Sequence, residues 1–169
     1  MSQFIVRPVA SADAPELSSL LNAVIHAGGT TALEREFSPD ELDAAYLTGA
    51  AVYCCHVALD AESERIAAFQ TLGRYPELPE DIGDIGTFSR IEGKQRGAGT
   101  MLFAATRLRA CELGHSAINA TIRADNTGGL AFYTRLGFVD HGVTPAVPLS
   151  DGTPVDRIHK RFALGPLEI

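Results

Sequence analysis

The chain has 169 residues, 46% of them hydrophobic and 21% charged, enough to bury one sizeable core and too few for two ordinary domains. Its formal net charge of -7 repels phosphate backbones and anionic bilayers, so composition argues against nucleic-acid and membrane partners and for neutral or cationic small ones. No stretch approaches the roughly 20 apolar residues of a membrane span, and the first ten residues lack a basic, apolar leader, which together read as a cytoplasmic protein.

Residues 4–9 alternate in the manner of a half-buried strand. Asp13 and Glu16 have the spacing of a capping box, and Leu17, Leu20, Leu21, Val24 and Ile25 follow at helical intervals until Gly28 and Gly29. After an irregular loop over 30–37, Ser38-Pro39-Asp40-Glu41 starts a second helix with Leu42, Ala45 and Tyr46 on one face. Residues 51–59 and 66–72 read as a hairpin around the polar turn 60–64. The adjacent Cys54 and Cys55 and the distant Cys111 fit neither a metal-ligand spacing nor an even disulfide framework, so all three read as reduced, buried small hydrophobes and no metal site is expected. Residues 82–91 predict a third strand of the meander, with Gly83 and Gly86 marking a bulge or a close backbone approach.

A glycine-containing loop over 92–99 then runs into a helix with Met101, Ala105, Leu108 and Cys111 on one face, ended by Gly114. Residues 117–122 form a short strand, and Asn126 caps a last helix that runs through Leu136 to Gly137. Phe138 onward and residues 155–164 close the chain as a hairpin around Asp151-Gly152. The order β, α, α, β, β, β, loop, α, β, α, β, β predicts one mixed α/β domain over 1–169.

Arg96-Gly97-Ala98-Gly99-Thr100 lies between a strand and a helix, where backbone N–H groups and the helix dipole converge on a place an anion can occupy. Taken alone, the glycines would merely make a tight turn. A P-loop fails because Lys94 precedes the glycines, and a dinucleotide fingerprint fails because Leu102 stands at its sixth position. Asn126 and Tyr133, likewise taken alone, would be a helix cap and a core-edge aromatic.

Together the two segments carry more. Arg96 to Thr100 resembles the cofactor loop of the GNAT acetyltransferase superfamily, departing from it at Met101, where that signature has Gly or Ala. Asn126, Leu130 and Phe132-Tyr133-Thr134-Arg135-Leu136-Gly137-Phe138 resemble its second signature, and residues 22–39 are loosely similar to the phosphinothricin-type amino-acid acetyltransferases. The resemblance implies a GNAT-like domain with a central mixed, mostly antiparallel sheet flanked by about four helices. It implies an acetyl-CoA-dependent N-acetyltransferase acting on the primary amine of a small, amino-acid-like molecule, by direct attack in a ternary complex without a metal. A homodimer is expected by the same analogy. It assigns coenzyme A to Arg96, Gly97, Ala98, Gly99, Thr100 and Asn126, and its pantetheine arm and thioester to Thr87, Phe88 and Ser89.

Such a transfer needs an uncharged amine, a donor for the oxyanion and a proton for the departing thiolate. Tyr133 fits the last, since a phenol with an ordinary pKa of about 10 is protonated at neutral pH. A backbone N–H near Phe88 fits the oxyanion. For the base, Glu34, Glu36, Asp84 and His141 are candidates, with Glu36 and Asp84 put first. The competing readings are a non-catalytic acyl-CoA-binding sensor, against which the Tyr133 phenol argues, and a protein N-acetyltransferase.

Overall fold

A computed structural model describes residues 3–93 and 95–166. Seven strands form one sheet: β1 (Phe4–Pro8), β2 (Val52–Asp60), β3 (Ile66–Gly73), β4 (Ile82–Ser89), β5 (Ala117–Arg123), β6 (Val139–Pro148) and β7 (Pro154–Ala163), in the spatial order β1-β2-β3-β4-β5-β7-β6. Only β4 and β5 run parallel, and the other neighbours are antiparallel. Four helices, α1 (Ala14–Ala27), α2 (Pro39–Leu42), α3 (Ala98–Glu112) and α4 (Thr127–Leu136), cover the two faces. This is the expected order and the expected mixed, mostly antiparallel sheet. Among the described residues no helix is long and apolar enough to cross a membrane.

Strand alternation separates two cores. On one face Leu17, Leu20, Leu21 and Val24 of α1, with Leu42 and Leu47 around α2, pack on Val57 and Phe69. On the other, α3 and α4 bring Phe103, Ala110 and Tyr133 against Leu72, Ile85, Ile118, Ala120 and Ile122. Burying a large aliphatic side chain is worth about 1.5–3 kcal/mol, so these stripes fix which face each helix covers.

Three local expectations change. The Asp13 and Glu16 side chains do not cap α1. Asp13 instead accepts two 2.8 Å hydrogen bonds from Arg7, while Glu16 accepts from the Ile66 N–H and from Arg90, both at 2.9 Å. The capping box is real at Ser38, whose hydroxyl accepts from the Glu41 N–H while Glu41 accepts from the Ser38 N–H. The buried stripe of α3 is Ala98, Leu102, Phe103, Thr106 and Ala110, and Leu108 is 53% exposed. Apolar residues surround that helix, so periodicity does not select its inner face. Finally, β4 pairs with β3 in unbroken register from Ala68↔Ser89 to Gly73↔Asp84, so its glycines make no bulge. Gly83 marks a close approach, since a Cβ there would lie 2.7 Å from Leu72 Cδ1.

The feature that positions the site is a fork. The parallel ladder between β4 and β5 comprises Ile82↔Ala117 to Ile85↔Ala120 and then stops. Past it, Gly86 to Ser89 continue paired with β3, and Thr121 to Arg123 continue paired with β7. The strands part in mid-sheet, leaving on the inner edge of β4 a run of backbone groups with no strand partner.

Candidate active site

A cleft of about 1580 Å³ passes through the fork. Its wall includes Asp84, Thr87, Phe88, Ser89, Arg96, Gly97, Gly99, Thr100, Asn126 and Tyr133, so most of the residues singled out in the sequence converge on one space. Ala98 does not belong to the wall. It is fully buried and its N–H donates to Gln95 O, so it serves the packing of the loop.

The glycine loop owes its shape to two separate requirements. Gly97 has φ +91°, a conformation that L side chains rarely adopt. Gly99 is a packing glycine, because a Cβ there would lie 2.7 Å from Phe132 Cε2 on α4. The first turn of α3 therefore crosses α4 one residue from Tyr133. The Gly99 and Thr100 N–H groups in that turn have no intrahelical acceptor, and both residues line the cleft.

Tyr133 lies between the Phe132 and Phe138 rings, each 5.0 Å away between centroids. It is 7% exposed, and burial pushes its phenol well above the usual value. Its hydroxyl is 3.0 Å from Thr87 Oγ1 on the parted stretch of β4, and Thr87 Oγ1 accepts from Gln70 Nε2 at 2.9 Å.

Asp84 lies opposite Asn119 in the last turn of pleat before the fork opens. Burial raises its pKa, opposed by the 2.8 Å hydrogen bond from Asn119 Nδ2 and by the Arg161 charge. Asn119 is itself held, its oxygen accepting from Arg161 Nε at 2.8 Å and its second N–H reaching Thr121 Oγ1 at 3.1 Å. Thr121 in turn lies 3.1 Å from His159 Nδ1, and Thr144 Oγ1 lies 2.7 Å from His159 Nε2. Burial and the Arg161 charge hold the His159 imidazole below its ordinary pKa.

The other base candidates are elsewhere. Glu36 is exposed, paired with His26, and outside the cleft wall. Glu34 accepts from the Ser150 N–H at 2.9 Å and from its hydroxyl at 2.8 Å, which latches the loop 30–37 onto the β6–β7 turn. His141 is exposed on β6 and outside the wall. Asn126 is committed at both ends of its amide. Its oxygen caps α4 by accepting from the Gly129 N–H, and its nitrogen donates to Thr30 O, each at 2.9 Å.

The same loop is held by Arg123, which donates to Thr31 O at 3.2 Å, and by Asn22, which exchanges two 2.9 Å hydrogen bonds with Phe37. It forms a fixed roof over part of the cleft, which Thr30 to Leu33 line. Beneath it Arg123 is spent on a bidentate pair with Asp125 at 2.7 and 2.9 Å. Arg157, 8% exposed, faces the cleft with one hydrogen bond, to Val155 O at 3.2 Å. Sequence reading missed Asn119, Thr121, Arg157 and His159. For Asn119 and Thr121 the signal was period two: polar residues alternating with Ile118, Ala120 and Ile122 on a central strand mark a polar face inside the sheet.

Among the described residues no group of three or more His, Cys, Asp and Glu side chains could hold a metal ion. No protein-family model and no curated protein sequence matches the chain. Solved structures do. A GNAT-superfamily phosphinothricin acetyltransferase from Sinorhizobium meliloti in complex with acetyl-CoA superimposes with TM-score 0.81 at 19% identity, over 97% of this chain and 90% of its own. A GCN5-related N-acetyltransferase from Kribbella flavida gives 0.80 at 21%, over 96% and 98%. A ribosomal-protein-alanine N-acetyltransferase from Brucella melitensis gives 0.78 at 16%, over 95% and 99%. From end to end, the fold of this chain is that of the GNAT acetyltransferases.

Proposed function

We propose that the protein is an acetyl-CoA-dependent N-acetyltransferase for a small primary amine that also carries a carboxylate. The observation that carries this reading is the fork, with a buried phenol held on one branch and a half-buried carboxylate at its base. The volume of about 1580 Å³ exceeds the roughly 300–1,000 Å³ of a usual small-molecule pocket, which suits two substrates bound together. The Arg96 side chain and the N–H groups of Gly97, Gly99 and Thr100 would take the pyrophosphate, and the unpaired edge of Gly86 to Ser89 would pair with the pantetheine arm.

In the reaction the amine nitrogen attacks the thioester carbonyl carbon, and a β4 backbone N–H near Phe88 stabilises the oxyanion. Asp84, whose raised pKa makes it the stronger base, takes the amine proton. As the carbon–sulfur bond breaks, Tyr133 gives its proton to the thiolate. Both groups are reset by exchange with solvent. Arg157, whose charge also acts on Asp125, would supply a positive charge for the acceptor's carboxylate, and the roof over 30–37 favours a small acceptor over the protein substrate named for the Brucella neighbour.

The test is release of coenzyme A from acetyl-CoA, followed with a thiol reagent across amino acids, their decarboxylated amines and peptide N-termini. Release that depends on an amino acid and fades with its decarboxylated partner is expected. Binding of acetyl-CoA with no release on any acceptor would sink the enzyme reading in favour of a sensor.

A further inference from the structure

Gln70 is fully buried on β3, outside the cleft wall. Its Nε2 donates to Thr87 Oγ1 at 2.9 Å, yet its Oε1 has no hydrogen-bond partner among the described residues. A buried amide oxygen without a partner costs stability, and an apolar side chain of the same shape would avoid that cost. Packing therefore gives no reason for a glutamine at this position. Its connection does, because Thr87 Oγ1 is also 3.0 Å from the Tyr133 hydroxyl.

The direction of this short chain follows from counting donors. Thr87 Oγ1 receives one N–H from Gln70, and the oxygen's other neighbour is Tyr133. If Tyr133 donated to Thr87, the Thr87 hydrogen would have no acceptor among the described residues. With the Gln70 amide donating to Thr87, the chain runs Gln70 N–H to Thr87, Thr87 O–H to the Tyr133 oxygen. It leaves the Tyr133 hydrogen unclaimed by the protein and free to point into the cleft.

We propose that Gln70 is a positioning residue that sets this direction, so that Tyr133 keeps its proton for the substrate and Thr87 is already turned to donate to the oxygen left behind. The proposal rests on the reading of Tyr133 as the acid. In the transfer step the Tyr133 O–H bond breaks, its proton and the carbon–sulfur electron pair end together on the sulfhydryl, and the phenolate formed accepts the Thr87 hydrogen bond. In a buried site that bond, charge-assisted once the proton has gone, offsets the cost of the anion.

The test is a double-mutant cycle on the purified protein with the best acceptor, reading kcat, KM, acetyl-CoA affinity by calorimetry and Tm. Gln70→Met should lower kcat about tenfold, leave acetyl-CoA affinity within about twofold, and hold or raise Tm. In a Tyr133→Phe background the same change should cost no further kcat. Thr87→Ser, which keeps the hydroxyl, should stay within about threefold of wild type, while Thr87→Val should match Gln70→Met. A kcat loss of equal size in both backgrounds, or a folded Gln70→Met protein with unchanged kcat, overturns the proposal. If Tyr133→Phe alone leaves kcat intact, the acid assignment itself has failed and the positioning role falls with it.

Discussion

The two walls of the cleft handle charge in opposite ways. On the α4 side, Gln70, Thr87 and Tyr133 form a dry chain of neutral groups, enclosed by Phe132 and Phe138. On the β5 and β7 side, Asp84, Asn119, Thr121, His159 and Arg161 form a charged network that is partly exposed, with Arg157 on the same wall. In the proposed reaction a buried phenol holds its proton until the negative charge developing on the departing sulfur draws on it. A half-buried carboxylate beside an arginine can change charge at moderate cost. In the proposed mechanism one side of the sheet holds a proton and the other accepts charge, and the parting of β4 from β5 brings the two together.

The sharpest break of this contrast is Tyr133→Phe, which should lower kcat by roughly 10²-fold or more while acetyl-CoA affinity is kept. A rate within a few-fold of wild type would remove the dry wall from the chemistry. Asp84→Asn should lower kcat/KM by about 10²-fold. Because the folded protein holds the Asp84 pKa above its unfolded value, it binds that proton more tightly than the unfolded chain. The contribution to stability is therefore fully present below the unfolded pKa and is lost as pH rises through the folded one. Activity runs the other way, rising as Asp84 ionises. Asp84→Asn should flatten both limbs, in a melting series and in a pH–rate profile. If the acid limb of kcat/KM survives in the variant, the base is another group.

A smaller effect belongs to the acceptor. Arg157→Gln should raise KM for a carboxylate-bearing amine by about 10–100-fold, the worth of a charge-assisted hydrogen bond of about 1.5–3 kcal/mol, with kcat little changed. It should have no such effect on the matching amine without the carboxylate, and an equal rise for both would mean a packing role. The smallest effect tests how the walls are held together. Gly99→Ala should cost about 1–3 kcal/mol of stability through its contact with Phe132, read as a lower Tm. Phe132→Leu should recover most of it, and failure to do so would place the strain elsewhere.

The element order was legible because each strand and helix carried its own period and punctuation, from Gly28 and Gly137 as helix stops to the capping box at Ser38. Of the dry wall, Tyr133 and Thr87 were legible through the two ordered motifs and the strand before the first, whereas Gln70, a single polar residue on a buried strand, was not. The charged wall was harder to read. Asp84 was one acid among several, and what distinguishes it from Glu34 and Glu36 is tertiary: one lies at the fork, one latches a loop to Ser150, and one pairs with His26 on the surface. Gly99 was read as a glycine that makes room for a ligand, whereas the atoms nearest its missing Cβ belong to Phe132, 33 positions along the chain. Which partner a glycine admits is a property of packing, and neighbouring residues in the sequence do not encode it.

The fork also bears on how the chain folds. Strands β1 to β4 pair in sequence order, and β5, β6 and β7 pair among themselves, so each half of the sheet carries its own ladders. Four residue pairs, from Ile82↔Ala117 to Ile85↔Ala120, make the one ladder that joins the halves among the described residues, and closing it spans the whole of α3. Native-state hydrogen exchange should then resolve two cooperative units, with the amides of that short seam opening together at a lower free energy than either half. A single global opening for all protected amides would show that the helices, rather than the strands, weld the two halves into one.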